Sequence, residues 1–376
     1  MQNLNRVHFP TDYSSVLERI NAIDPAKYAK TRNFLNGHIT YLAPYLSRGV
    51  ITLKHVLDSI LSKGYPIQVC EKLIQELAWR EYYQRVWQSK NNLIWEDLKQ
   101  AQQDVAHHKM IVSLQNAQTG IDSIDKEIHN LYHGGYLHNH IRMYLAAIAC
   151  NIGKAHWLQP SKWMYYHLLD GDMASNNCSW QWVAGAFSSK KYYCNQENIN
   201  KYTFSKQVGT FLDKPYENIV NMPVPLTLQE TVSLELNTNL PSTELPSLDT
   251  SLPTLIYNSY NVDPLWRKDE KANRVLLLEP SHFKNYPVSD KVIQFIVALS
   301  KNIEGIQIYT GEIEDIYNVY SQTNNGQSAF VISKEHPAFN YYPGIRDQRE
   351  WMFPNVAGYF PSFFSYWKKA QRNLSY

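Results

Sequence analysis

The chain has 376 residues, 44% of them apolar and 19% charged, so it is long enough for two domains and too apolar to stay disordered. Its net charge is +2, split as 21 Lys+Arg against 16 Asp+Glu in residues 1–205 and 15 against 18 in residues 206–376, a balance that permits an anionic partner without requiring one. Apolar runs fall short of the roughly 18 to 20 residues of a membrane span, and the start MQNLNRVHFP has no signal-peptide core, so no membrane partner is expected and a cytoplasmic location is the default.

Residues 1–205 read as helical: long segments such as Gln68–Gln88 and Ile124–Asn151 repeat apolar residues every three or four positions. Residues 206–253 read as a linker or extended segment, because 222–253 is rich in Pro, Ser and Thr and has no aromatic residue. Residues 254–376 alternate. Short strands are expected at Thr254–Tyr260, Arg274–Pro280, Ile306–Gly311 and Ala329–Ser333, with an amphipathic helix at Ser289–Asn302 and a last helix at Ser362–Asn373. Such alternation predicts a small parallel α/β sheet. The ring-rich segments HPAFNYYPG and REWMFPNVAGYFPSFFSYW are expected to pack, or to line a second chromophore site. The patterns GxGxxG, GxxxxGK[ST] and HExxH are absent, and Cys70, Cys150, Cys178 and Cys194 form no CxxC pair, so no metal site is expected.

The chemistry concentrates in Gly134–Trp182. On a helix Asn139, Arg142 and Met143 share a face, offering an amide, a guanidinium and a soft apolar tip. Asp170-Gly171-Asp172 is an acidic turn before a helix on which Asn176 and Trp180 lie one turn apart. A structural reading exists for each piece alone: a helix cap, a core indole, an ordinary ion pair.

The run GGYLHNHIRM, followed about 25 residues later by DGDMASNNCSWQW, resembles the flavin-binding region of the DNA photolyase/cryptochrome family. Three other stretches agree in order: Tyr28–Arg32 with Ile39–Leu46 (ITYLAPYL), Glu76–Tyr83 (ELAWREYY), and Thr119-Gly120 with Ile124-Asp125. The resemblance covers roughly residues 10–205. It implies a mostly α protein in which an all-helical, photolyase-type FAD-binding domain precedes a small α/β, Rossmann-like domain.

Site roles follow from the resemblance. Tyr28 and the loop Ile39, Thr40, Tyr41, Leu42, Ala43 would contact the FAD phosphates and ribityl chain. Asp170, Gly171 and Asp172 would hold the ribose and the isoalloxazine edge. Arg142 would pair with one of those carboxylates, Asn176 would face the flavin N5, and Arg80 would form the pocket wall. Glu76, Trp79, Tyr83, Asn139 and Met143 would face the lesion, and Arg32 would meet a DNA phosphate. Trp180 and Trp157 match the first two links of the family's electron path. The neighbourhood of the third, QAQQDVAHHKM, has no Trp.

The chain departs from the family at several points. Ile39 and Ala43 stand where hydroxyl residues are usual, His140 where an Arg would touch DNA, and Cys178-Ser179 where two Gly are usual. Usual members begin with the α/β antenna domain, whereas here the α/β part comes last. The resemblance implies DNA containing pyrimidine dimers as partner and names neither a second antenna chromophore nor a protein partner. Three readings stand: light-driven repair of cyclobutane dimers by electron transfer from reduced FAD, a cryptochrome-like blue-light receptor without repair, and a flavin-binding scaffold. The lesion-face residues favour the first; His140 and the missing Trp favour the second.

Overall fold

The structure is a computed structural model and describes residues 7–323 and 331–374. Residues 1–6, read as a polar start, lie outside the described residues, as do Ala329 and Phe330 of the expected fourth strand. The first helices are α1 (Tyr13–Asn21), α2 (Pro25–Thr31), α3 (Ala43–Ser47), α4 (Leu53–Ser62) and α5 (Ile67–Lys90). Next come α6 (Val112–Gln115), α7 (Asp122–Gly134), α8 (Asn139–Ala146), α9 (Leu158–His167), α10 (Met173–Ala184), α11 (Gln196–Thr203) and α12 (Tyr216–Val220). The last are α13 (Pro280–Asn285), α14 (Asp290–Ser300), α15 (Ile313–Thr323) and α16 (Phe363–Ala370).

Two compact units form. The helical unit comprises residues 24–39 and 82–236. The α/β unit comprises 9–23, 40–81 and 237–376. The expected boundaries, 1–205 and 254–376, differ from this division. Helical periodicity shows that a helix has an apolar face, but not which neighbour covers it.

In the helical unit, Ile124–Asn151 is broken rather than continuous. α7 ends at Gly135, whose φ of 67° caps the helix in the left-handed region, and Leu169 N donates to Gly135 O at 2.8 Å. A Cβ there would stand 2.7 Å from the Leu169 side chain, so this turn needs glycine. α8 runs into a π-helical turn, Ala147–Ile152, whose residues are all buried. α10 has almost no solvent face, since nine of its twelve residues are buried, which makes it a core helix. Part of the expected linker also belongs here: β1 (Met110–Ile111) pairs antiparallel with β2 (Thr231–Val232).

The α/β unit holds five parallel strands: β3 (Thr254–Tyr257), β4 (Asn273–Leu278), β5 (Ile306–Thr310), β6 (Val331–Lys334) and β7 (Ile345–Asp347). Their order is β5-β4-β3-β6-β7, so the predicted parallel sheet is present with a fifth strand that the sequence did not announce. β3 and most of β4 are continuously buried runs, as strands covered on both faces must be. α14 and α16 begin after Ser289 and Ser362, close to their expected starts.

The helices of residues 40–81 join this unit through buried polar anchors. Arg48, fully buried, donates from Nη1 to Ser259 O at 3.0 Å. Glu81, also fully buried, accepts from Met352 N, from Phe353 N at 3.0 Å and from the Tyr366 hydroxyl at 2.8 Å. Removing that carboxylate strands three buried donors, at about 1–3 kcal/mol each. Glu81→Ala should therefore lower α/β-unit stability by at least ~3 kcal/mol, and Glu81→Gln, which keeps one acceptor, by less. Urea unfolding followed by circular dichroism checks this, and an unchanged midpoint in Glu81→Ala would contradict it.

Candidate flavin-binding site

The predicted site residues of the helical unit gather around the start of α10. Leu169-Asp170-Gly171 makes a turn in which Gly171 N donates to Leu168 O at 3.0 Å, and Asp172 becomes the N-cap of α10 by accepting Ser175 N at 2.8 Å. Arg142, on α8, donates through Nη2 to both oxygens of Asp170 at 3.0 and 2.8 Å, and its Nε bonds Leu137 O. The pairing expected with either carboxylate thus goes to Asp170. Asp170 and Asp172 are 5% and 4% exposed, so both need partners. Asp172 receives a second bond, from Gln84 Nε2 at 2.5 Å.

Asn176 is buried, and its Nδ2 donates to Ser161 O at 3.0 Å and Asn177 Oδ1 at 3.4 Å. Its Oδ1 carries no hydrogen bond among the described residues, and the buried Ser175 Oγ likewise has none. Neighbouring Cys178, which stands where the family has glycine, is fully buried, and burial pushes its thiol well above the usual range.

The exposed side of α8 carries Asn139 and Met143 as expected, with Asn139 Nδ2 donating to Met143 Sδ at 3.7 Å. Two histidines flank them, and both are committed. His138 bonds Arg32 O through Nε2 at 3.0 Å, and burial followed by repulsion from His140 lowers its pKa to about 4. His140 stacks on Tyr202, ring centroids 4.7 Å apart at 18°, and burial also lowers its pKa. A residue expected to touch DNA is instead packed on a neighbouring ring. Tyr28 lies half-buried on α2, Ile39 and Arg32 are half-buried nearby in the chain, and Tyr83 is only 8% exposed, which limits it as a lesion contact. Trp180 and Trp157 both lie in the apolar core.

The remaining predicted residues belong to the α/β unit. Tyr41 adopts φ 52°, Thr40 Oγ1 accepts Leu42 N at 3.4 Å, Leu42 is 1% exposed, and Ala43 opens α3. On α5, Arg80 donates to Ser47 Oγ, and Glu76 is half-buried. Trp79 lies against Phe363 of α16, ring centroids 3.8 Å apart at 10°. The expectation of a ring presented to a flipped base therefore holds for no more than one of its two faces. The ring-rich C-terminal segments pack in this same unit, with Phe363 on Trp79 and Trp367, and Phe339 on His282.

Residues that the sequence reading missed are mostly amides and carboxylates of the supporting shell. They include Gln84 on Asp172, Asn177 on Ile94 O, Gln181 on Leu98 N and Glu96 O, and Asp97 on Trp157. Their partners are 60 to 88 positions away, so no local pattern marks them.

Residues 73–214 match the family described as the FAD binding domain of DNA photolyase. The chain carries a FAD-binding domain of the photolyase/cryptochrome family. Relatives of this photolyase-type domain include deoxyribodipyrimidine photo-lyases from Buchnera aphidicola, 24% identical over 238 residues, and Escherichia coli, 24% over 198. A third is from Synechococcus, 28% over 178 residues. These alignments cover 59%, 49% and 43% of this chain and 48%, 41% and 35% of the relatives, so the chain spans half or less of the length of each. Similar solved structures are a Synechocystis cryptochrome (TM-score 0.46, 21% identity, 52% of this chain and 44% of that one) and a Sulfolobus tokodaii photolyase described with two FAD molecules (0.42, 18%, 54% and 46%).

FAD is the cofactor of this domain, and the residues fit it. The unpartnered Ser175 Oγ and the open Asn176 Oδ1 sit one turn from the two carboxylates, where a polar ligand would satisfy them. Asp172→Ala should lose most bound FAD, together with about 1 kcal/mol of cap stability. Asp172→Asn should keep the cap and still bind FAD more weakly. Flavin content after heat release, measured beside the melting temperature, separates the two effects; full FAD occupancy in Asp172→Ala would remove that carboxylate from the site.

Proposed function

We propose that this protein is a light-driven repair enzyme for cyclobutane pyrimidine dimers in DNA. The observation that carries the reading is the outer face of α8, where Asn139 and Met143 lie in contact while Arg142 turns inward to Asp170. When bound, FAD supplies the light-driven electron transfer that opens the cyclobutane ring. The chain's own groups position and exclude. Asp170 fixes the Arg142 guanidinium, whose charge favours an electron-rich ligand in a site of low polarity. Asn176 presents an acceptor, and Asn139 with Met143 offers a lesion an amide and an apolar contact.

The same face argues against repair of (6-4) photoproducts, which needs a proton delivered with the transferred oxygen. An amide and a thioether are no general acids near neutral pH. His138 and His140 are both biased to the neutral form, and each is engaged by a neighbour. A blue-light receptor without repair is the second reading. It is favoured by the Trp79 ring already stacked on Phe363 and the His140 ring already stacked on Tyr202.

Flavin-loaded protein under blue light should revert cyclobutane dimers in a defined oligonucleotide and leave (6-4) products intact, as chromatography of the digested DNA would show. Turnover of the (6-4) product, or none of the dimer, would overturn the assignment. On the electron path, Trp180→Phe should slow photoreduction of oxidised flavin at least tenfold, and Trp157→Phe less, measured by absorbance with a thiol present.

A further inference from the structure

We propose that Trp157 is the last electron donor of the helical unit, and that Asp97 accepts its indole proton when it is oxidised. This deepens the repair reading and rests on it. The Trp157 ring is fully buried, and its Nε1 donates to Asp97 Oδ1 at 2.7 Å. Asp97 is held in place from its other oxygen, which accepts Gln102 N at 2.8 Å, and Gln102 Oε1 in turn accepts Trp157 N at 2.9 Å. The indole and its carboxylate are thus fixed by one amide side chain. His156 Nε2 stands 3.4 Å from Asp97 Oδ1.

The segment where a third tryptophan was expected supplies imidazoles instead. His156 N donates to His107 O at 2.8 Å, and the His108 ring stacks on His156 with centroids 4.6 Å apart. Imidazole is much harder to oxidise than indole, so an electron vacancy that reaches Trp157 goes no further by that route. An oxidised indole is a strong N–H acid, and here the proton has a base in hydrogen-bond contact. Burial raises the Asp97 pKa, but the bonds from His156, Gln102 and Trp157 outweigh it, so the group stays below the usual carboxylate range and is ionised at neutral pH.

The step balances as follows. Trp157 gives one electron, through Trp180, to photo-excited oxidised flavin, and its Nε1–H proton to Asp97. The N–H bond breaks, an O–H bond forms, and a neutral indolyl radical remains on Trp157. The Asp97 side chain is 21% exposed, so the proton passes on to water. A thiol in solution later returns one electron and one proton. Return of the electron from flavin to the neutral radical requires a proton as well, so the separated charge persists long enough for the thiol to act. In this arrangement a carboxylate does the work of a third indole.

The test is flash spectroscopy on the flavin-loaded protein, reading the protonated and deprotonated tryptophan radicals by their different visible absorption. Wild type should show the deprotonated radical. Asp97→Asn, which keeps an acceptor but no base, should show the protonated radical and recombine faster. Its photoreduction with thiol should fall about fivefold at unchanged FAD content, and Asp97→Glu should restore it. In cofactor-free protein, the indole N–H resonance missing from Trp157→Phe should move in Asp97→Leu, which checks the contact independently of photochemistry. Wild-type deprotonation in Asp97→Asn would overturn the role of Asp97 alone. Unchanged photoreduction in Trp157→Phe would overturn the electron path itself, and the proposal with it.

Discussion

The Arg142–Asp170 ion pair joins two stretches that lie 28 residues apart and sets the register of everything that follows them. Asp170 is almost fully buried, so its charge has to be answered by a partner of fixed geometry, and the forked guanidinium of Arg142 supplies one. With Asp170 held, Asp172 two residues on falls at the N-cap of α10. From that cap, helical spacing alone puts Asn176, Asn177, Trp180 and Gln181 where they stand. Losing either member of the pair would leave an uncompensated buried charge, at roughly 3–5 kcal/mol.

α10 then raises a second problem, because a helix buried nearly all round still carries Asn176, Asn177 and Gln181. Each is answered by backbone groups: Ser161 O, Ile94 O, Glu96 O and Leu98 N. These bonds act only at one register, so they fix the helix axially in a way that apolar packing does not. Asn151 plays the same part below the π-helical turn, donating to Val183 O and Tyr192 O. The apolar core supplies the bulk of the stability, and the amides decide which alignment of that core is reached.

The α/β unit solves its own version of the constraint. Arg48 and Glu81 are completely buried charged residues that bind main-chain groups of distant segments, Ser259 in one case and Met352 and Phe353 in the other. Around them the sheet follows the usual order of parallel strands, with continuous apolar runs in β3 and β4. The flat stack of Trp79 on Phe363 belongs to the same set of contacts, and it explains why a residue read for ligand contact serves packing on one face.

The sequence by itself determined the two kinds of architecture, the parallel sheet, the acidic turn with its capped helix, and the face shared by Asn139, Arg142 and Met143. All of these are set by contacts within a few residues: helical and strand periodicity, a cap, a turn. The ordered motifs likewise identified the flavin-binding family. Only the tertiary structure decided that Arg142 chooses Asp170, that Gly135 divides a long helical pattern, that His138 and His140 are already engaged, and that residues 40–81 fold with the sheet. It alone brought Gln84 to Asp172 and Asp97 to Trp157. The physical reason is common to all of them: these partners are far apart in the chain, and which distant group answers a buried charge or donor depends on the packed geometry of both, which no local pattern encodes.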